Sequence, residues 1–343
     1  MSTPTSNADA EALIEGLDKK GFLYRVQGAL HRFPWLSPLL VLIVAMIIFT
    51  LLNHRFLLPA NLSLIMQQVS IVGAIAIAQT LVILTAGIDL SVGAIAVFAS
   101  MVMAKTAFDQ GVPGPIALII GLIVGTAAGA VNGVLVTRLK LPPFIVTLGT
   151  LGIFTALTLI YATGRTVRDT ELAPILTVMG NVIKLGPFTI TWGVLMMIVL
   201  YVIFAYILRN TAWGKHVYAV GDDPQAAALA GIRVNRVLFS VYTVGGLILA
   251  IAGWITIGRV NAASPNVIPD ANLDSITAVV IGGTSLFGGR GTLIGTFIGA
   301  VLVGVVSNGL SLAGLDQAYK ILAIGILVIT AVALDQWIRK VRA

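Results

Sequence analysis

The chain reads as long apolar runs separated by single charges. A charge near the centre of a bilayer costs roughly 2.5–3.5 kcal/mol on an insertion scale, so uncharged gaps mark where helices can cross. Seven gaps are long enough: Arg32 to Arg55, Arg55 to Asp89, Asp109 to Arg138, Lys140 to Arg165, Lys184 to Arg209, Arg236 to Arg259, and Arg290 to Asp316. Three further stretches, Asp89 to Lys105, Asp274 to Arg290 and Lys320 to Asp335, hold only 14 or 15 uncharged residues each and equally suit re-entrant or interfacial segments.

Loop charge separates the two counts, because cytoplasmic connections carry the excess of Lys and Arg. Ten spans with the amino terminus inside place 14 basic residues on the inner side and 7 on the outer, whereas seven spans give 10 against 11. The pattern therefore predicts an all-α integral membrane protein of about ten transmembrane helices, both termini cytoplasmic, some helices short and Gly-interrupted. The spans fall near 36–52, 63–84, 91–106, 115–137, 144–162, 192–208, 237–257, 273–288, 292–312 and 318–336. The organisation is a cytoplasmic amino-terminal segment 1–35, one transmembrane domain 36–336 and a cytoplasmic tail 337–343. An inner segment, 209–236, and an outer loop, 163–191, interrupt the domain. Lys19-Lys20 and several acids precede the first apolar run with no small-residue cleavage site, so no cleaved signal peptide is expected. Ala10 to Phe33 suits an interfacial helix or a disordered lead-in, and Leu172 to Leu176 a short surface helix.

Composition excludes a soluble enzyme. Of 343 residues 58% are apolar and 10% charged, against about 25% charged in an ordinary globular chain. Ten spans of about 20 residues leave no room for a second domain. The net charge of +7 comes from basic residues standing between apolar runs, a topology signal rather than a nucleic-acid footprint. There are no cysteines, which removes disulfides, thiolate metal sites and Cys nucleophiles. His31, His54 and His216 lie outside the spans, and neither H-E-x-x-H nor a G-x-S-x-G serine occurs. Gly283-Thr-Ser-Leu-Phe-Gly288-Gly-Arg290 has the glycine spacing of a phosphate loop but lacks the following Lys and Ser/Thr. No catalytic residue, cofactor or metal site is expected, and any nucleotide hydrolysis belongs to another chain.

The exceptions to the apolar pattern are glycines and neutral polar groups. Gly121, Gly125, Gly129 and Gly133 recur every four residues, as do Gly291, Gly295 and Gly299, which predicts close helix packing within the bundle rather than a subunit face. Two Gly-rich breaks, Leu84-Thr-Ala-Gly-Ile-Asp-Leu-Ser-Val-Gly93 and Ile281-Gly-Gly-Thr-Ser-Leu-Phe-Gly-Gly-Arg-Gly291, follow short or interrupted helices, the pattern that points to a transport site. The candidate translocation pathway is Gln68, Gln79, Asp89, Ser91, Asn132, Asp274, Thr284, Ser285, Phe287 and Asn308. The competing readings are helix caps for Asp89 and Asp274, and interhelical hydrogen bonds for the amides and for Ser307. Gln68 and Gln79 stand about 16 Å apart on one stripe of a helix.

In the inner segment, Asp223-Pro224 reads as N-cap and first helical residue, Gln225 to Ala230 as a short helix, and Gly231 as its stop. Two turns are too short to stand alone, so this helix should dock, either on the chain's own helix ends or, given Lys215, Arg233 and Arg236 nearby, on a soluble partner.

Several strings together resemble the permease subunits of ribose-type ABC sugar importers: Gly87-Ile-Asp-Leu-Ser-Val-Gly93, Asn132-Gly-Val-Leu-Val136, Lys140-Leu-Pro-Pro-Phe-Ile-Val-Thr-Leu-Gly-Thr150, Gly214-Lys-His-Val-Tyr-Ala-Val-Gly221, Ala226-Ala227 with Gly231-Ile232, and Gly282-Gly-Thr-Ser-Leu-Phe-Gly-Gly-Arg-Gly291. The resemblance runs from about Leu36 to Asp335. It implies a bacterial inner-membrane subunit that pairs with a second permease copy as a homodimer. It further implies cytoplasmic ATP-binding subunits, a periplasmic binding protein delivering a monosaccharide, and alternating access. The family's coupling helix maps onto Asp222 to Ile232, with Asp222, Asp223, Pro224, Gln225, Ala226, Ala227 and Gly231 toward the ATPase. Ala86 stands where a second Gly is usual, Asp222-Asp223 replaces Gly-Asn, and Ala228 stands where Arg is frequent. The Gly-Asp-Asp-Pro string looks more like fructose-type members, so fructose and ribose are both expected substrates. A self-sufficient secondary transporter or channel, or a permease for another small polar solute, remains the alternative, although the spans hold no ionisable group deeper than their ends.

Overall fold

The computed structural model describes residues 35–340. The expectations for the amino-terminal segment and for residues 341–343 lie outside the described residues. The chain is mostly helical: α1 Leu36–Leu52, α2 Pro59–Leu84, α3 Val92–Phe108, α4 Gly114–Thr137, α5 Pro143–Ala162, α6 Pro174–Thr177, α7 Trp192–Asn210, α8 Ala212–Asp222, α9 Pro224–Leu229, α10 Val234–Val260, α11 Ala271–Ile281, α12 Leu293–Leu312 and α13 Gln317–Lys340. Proline sits in the first two positions of α2, α4, α5, α6 and α9, where its missing N–H costs nothing and its φ already suits a helix.

Among the described residues six helices, α2, α4, α5, α7, α10 and α12, are long and apolar enough to cross a membrane, and α1, α3, α11 and residues 317–327 of α13 are shorter apolar helices. At 1.5 Å per residue the 11 residues of α11 reach only about 16 Å, roughly half the hydrocarbon thickness. The predicted span 273–288 is corrected accordingly. Its helix ends at Ile281 because Gly283 takes φ +84 and the amides of Gly283 and Thr284 turn back onto the carbonyls of Val280 and Val279.

The centre of the bundle is α2, whose apolar window is 83% buried against 28% for α5. The glycine spacing does what it predicted. A Cβ on Gly129 would lie 2.2 Å from Tyr242 O and one on Gly246 2.3 Å from Gly125 O, so α4 and α10 meet backbone to backbone. Gly133 meets Phe239 of α10, and Gly121 meets Met103 of α3. Gly295 and Gly299 press on the carbonyls of Gly282 and Ala278, but Gly291 precedes α12 and belongs to the loop, which corrects its place in the repeat.

Small strands qualify the all-α expectation. β1, Val167–Arg168, pairs antiparallel with β4, Ala262–Ala263, and a hairpin joins β2, Val182–Leu185, to β3, Phe188–Thr191. The predicted surface helix is Pro174–Thr177, and it is not a surface helix: Leu176 is fully buried and Trp254 Nε1 donates to Ile175 O. The Arg168 N–H, followed by the Arg165 guanidinium, lowers the pKa of the Glu171 carboxyl from its ordinary value in the loop before β2. The expected tail 337–343 is helical as far as Lys340.

Candidate translocation and coupling sites

α2 stops where Ala86 takes φ +60 and the Gly87 N–H returns to Val82 O. A left-handed residue at this position closes a helix, and glycine is the residue that does so without strain. The segment after it is sealed by side chains. Asp89 Oδ1 accepts the Ser91 N–H at 2.7 Å and the Ser91 hydroxyl at 2.6 Å, and Asn132 Nδ2 from α4 donates to Ser91 Oγ at 2.8 Å. Thr147 Oγ1 of α5 donates to Ile88 O. Three predicted pathway residues, Asp89, Ser91 and Asn132, thus form one buried chain of hydrogen bonds. Contrary to one reading, Asp89 does not cap α3: its carboxylate serves the Ser91 N–H and hydroxyl ahead of the helix rather than the first-turn amides.

Asp274 does not cap α11. It is the fourth residue of that helix, its Oδ1 has no hydrogen-bond partner among the described residues, and the N-cap position falls to Asp270, whose side chain makes no cap either. The helix starts two residues earlier than predicted, at Ala271, and its second residue, Asn272, reaches the start of α3: its Oδ1 accepts the Gly93 N–H at 2.8 Å. Sequence reasoning missed Asn272, whose partner lies 179 residues away.

The remaining candidates divide. Asn308 accepts from Asn61 Nδ2 at 2.9 Å, which is interhelical bonding between α12 and α2. Gln79 is completely buried with neither amide atom partnered among the described residues, whereas Gln68 on the same helix is half-buried. In the second break Ser285 Oγ accepts the Phe287 N–H, Thr284 Oγ1 is buried without a partner among the described residues, and Phe287 is exposed. Tyr242 Oη, also buried and unpartnered, would lie 3.1 Å from a Cβ on Gly87, at the edge of the Asp89 cluster.

The candidate coupling helix forms as its caps dictate. Asp223 Oδ1 accepts the N–H groups of Gln225 and Ala226 at 2.8 and 3.0 Å. Gly231 takes φ +84, and the amides of Gly231 and Ile232 bond to the carbonyls of Ala228 and Ala227. Ala227 is buried against the chain, while Asp222, Pro224, Gln225, Ala226, Ala228 and Leu229 face outward. Leu229 is 91% exposed, an apolar side chain left without cover on a six-residue helix. Sequence reasoning missed the preceding helix, α8, whose Val217 and Val220 are buried and whose Trp213 donates to Ser240 Oγ on α10.

A family model described as branched-chain amino acid transport system / permease component matches residues 61–332. The chain belongs to this permease family. The permease is 49% identical to the fructose import permease protein FrcC of Rhizobium meliloti, over 98% of its own length and 95% of the relative's. It is 40% identical to the ribose import permease protein RbsC of Bacillus subtilis, with 88% and 92% covered. It is 32% identical to the galactose/methyl galactoside import permease protein MglC of Escherichia coli, with 94% and 98% covered. No solved structure matches the chain. The permease is therefore a bacterial inner-membrane component of an ABC sugar importer and not an enzyme, ATP hydrolysis belonging to separate subunits.

Proposed function

We propose that this permease carries a monosaccharide inward by alternating access, with fructose the first candidate and ribose the second. The similarity to a fructose import permease over nearly the whole chain supports this order. The observation that carries the mechanism is α9: a short helix, capped at both ends by its own sequence, that leaves Leu229 uncovered. Such a helix cannot hold itself together in water and is completed by docking. The reading assigns that docking to cytoplasmic ATP-binding subunits, delivery of sugar to a periplasmic binding protein, and the central pathway to a homodimer of permeases. A sugar carries no charge, so amides and hydroxyls such as those of Gln79, Asn132 and Thr284 suit its passage.

The topology that goes with this reading has ten crossings and both termini inside, α11 being completed by the irregular residues 264–270. The transmembrane domain is 36–336, with coupling segment 209–236 and outer loop 163–191. Because the natural chain has no cysteine, single cysteines report sidedness directly. Thr170→Cys should label from outside in intact cells, and Ala226→Cys only after permeabilisation.

The deciding experiment is reconstitution. Proteoliposomes holding the permease, its ATPase and its binding protein should take up fructose on addition of ATP, and deletion of residues 223–230 should abolish uptake while leaving the protein inserted. Uptake by the permease alone, driven by a proton gradient, would overturn the reading in favour of a secondary transporter. Binding-protein assays against fructose, ribose, xylose, galactose and inositol fix the substrate.

A further inference from the structure

The two Gly-rich breaks and the helix that leads into α9 meet at one point. The Gly289 N–H donates to Leu84 O, the last carbonyl of α2, at 3.0 Å. Gly221, one residue before the end of α8, lies against both: a Cβ there would stand 1.8 Å from Leu84 O and 2.7 Å from Gly289 N. On the other side, a Cβ on Gly288 would stand 2.5 Å from Gly221 O and 2.8 Å from Ala86 N, and one on Gly289 2.8 Å from Asp222 Cα. Gly288 and Gly289 take φ +80 and +69, a left-handed backbone natural to glycine. One turn back along α8, Tyr218 Oη donates to Gly291 O at 2.9 Å, tying the far end of the same loop to the same helix.

We infer that this junction of Leu84, Gly221, Gly288 and Gly289, clamped by Tyr218, is the mechanical link by which displacement of α9 reaches both helix breaks at once. The argument is one of stiffness. Backbones in direct contact have no side chain between them to absorb a movement, and packed interiors transmit strain rather than deform. α8 joins α9 through Asp223 alone, an extended residue at φ −151, so a push on α9 is delivered to the end of α8. There it meets the exit of α2 and the loop between α11 and α12. Gly221, Gly288 and Gly289 are positioning residues in this scheme, and none of them needs to touch sugar.

The inference rests on the transport reading proposed above, and the test separates the two. Wild-type permease in proteoliposomes with its partners sets the sugar moved per ATP hydrolysed; absence of ATP-driven uptake there removes the transport reading itself. Given wild-type transport, Tyr218→Phe should keep ATP hydrolysis and the folded yield but move roughly fivefold less sugar per ATP, the factor one hydrogen bond is worth. Gly221→Ala should lower the ratio further. Gly180→Ala is the packing control: a Cβ there would stand 1.9 Å from Gly258 O, as crowded as the junction but at the far end of α10, so it should reduce folded yield and leave the ratio of the folded molecules unchanged. An unchanged ratio in Tyr218→Phe sinks the inference, and so does an equal fall in Gly180→Ala. If Gly221→Ala does not accumulate, Tyr218→Phe decides alone.

Discussion

Two interruptions flank the buried centre of this bundle, one between α2 and α3 and the other between α11 and α12, and they are built from different materials. Each opens with the same backbone closure, a left-handed residue whose amide and the next turn back onto the helix. In the first break that residue is Ala86, and the seven residues that follow the helix are fixed by side chains: Asp89, Ser91 and Asn132 in one hydrogen-bonded chain, with Thr147 holding Ile88 O. In the second, glycine supplies the turns at 283, 288, 289 and 291, most bonds run backbone to backbone, and Phe287 faces outward. A segment held by polar side chains weakens when an atom is removed. A segment held by bare backbone weakens when an atom is added.

Removing the carboxylate tests the first half most severely. Asp89→Ala strands the Ser91 amide and hydroxyl in a buried site and should cost about 3 kcal/mol of unfolding free energy in mixed micelles, while Asp89→Asn, which keeps an acceptor, should lose less than half of that. Equal losses would mean the charge, not the acceptor, holds the segment. Adding an atom tests the second half: Gly288→Ala meets Gly221 O and a left-handed φ and should cost about 2 kcal/mol. A loss within the noise of an ordinary surface change, about 0.5 kcal/mol, would show the loop gives way.

Ala86→Gly should go the other way and stabilise by about 1 kcal/mol, since the same φ is easy for glycine. No gain would mean the chain is not held left-handed there. The smallest effect is expected at Thr284→Val, which removes a buried hydroxyl that has no partner among the described residues and should shift stability by less than about 0.5 kcal/mol. If that variant nonetheless raises the apparent KM for sugar uptake, the hydroxyl faces the pathway; an unchanged KM takes Thr284 off it.

Features whose partners are neighbours in sequence were legible without a structure. The caps of α9 were readable because Asp223, Pro224 and Gly231 act within a few residues of themselves. The α4 glycines were readable because one helix repeat places them on one face, whatever they meet. Asp274 misleads for the same reason that Asp223 is legible: an acid at an apolar boundary has the form of a cap, and only the fold shows that the helix already begins at Ala271 and that Asn272 bonds to Gly93. Leu172 to Leu176 reads as surface because it sits in a charged loop, and the fold instead buries Leu176 and bonds the Trp254 indole to the neighbouring Ile175 carbonyl.

What the sequence determined by itself is the solvent, the placement of charge at the ends of apolar runs and the doubly capped helix Pro224–Leu229, because desolvation cost and capping act locally along the chain. The tertiary structure decided which polar groups meet: Asn132 with Ser91 across 41 residues, Asn61 with Asn308 across 247, and Gly221 with Leu84 and Gly289. A buried hydrogen bond or a backbone contact depends on atoms supplied by distant elements, and no local pattern records which atom will arrive.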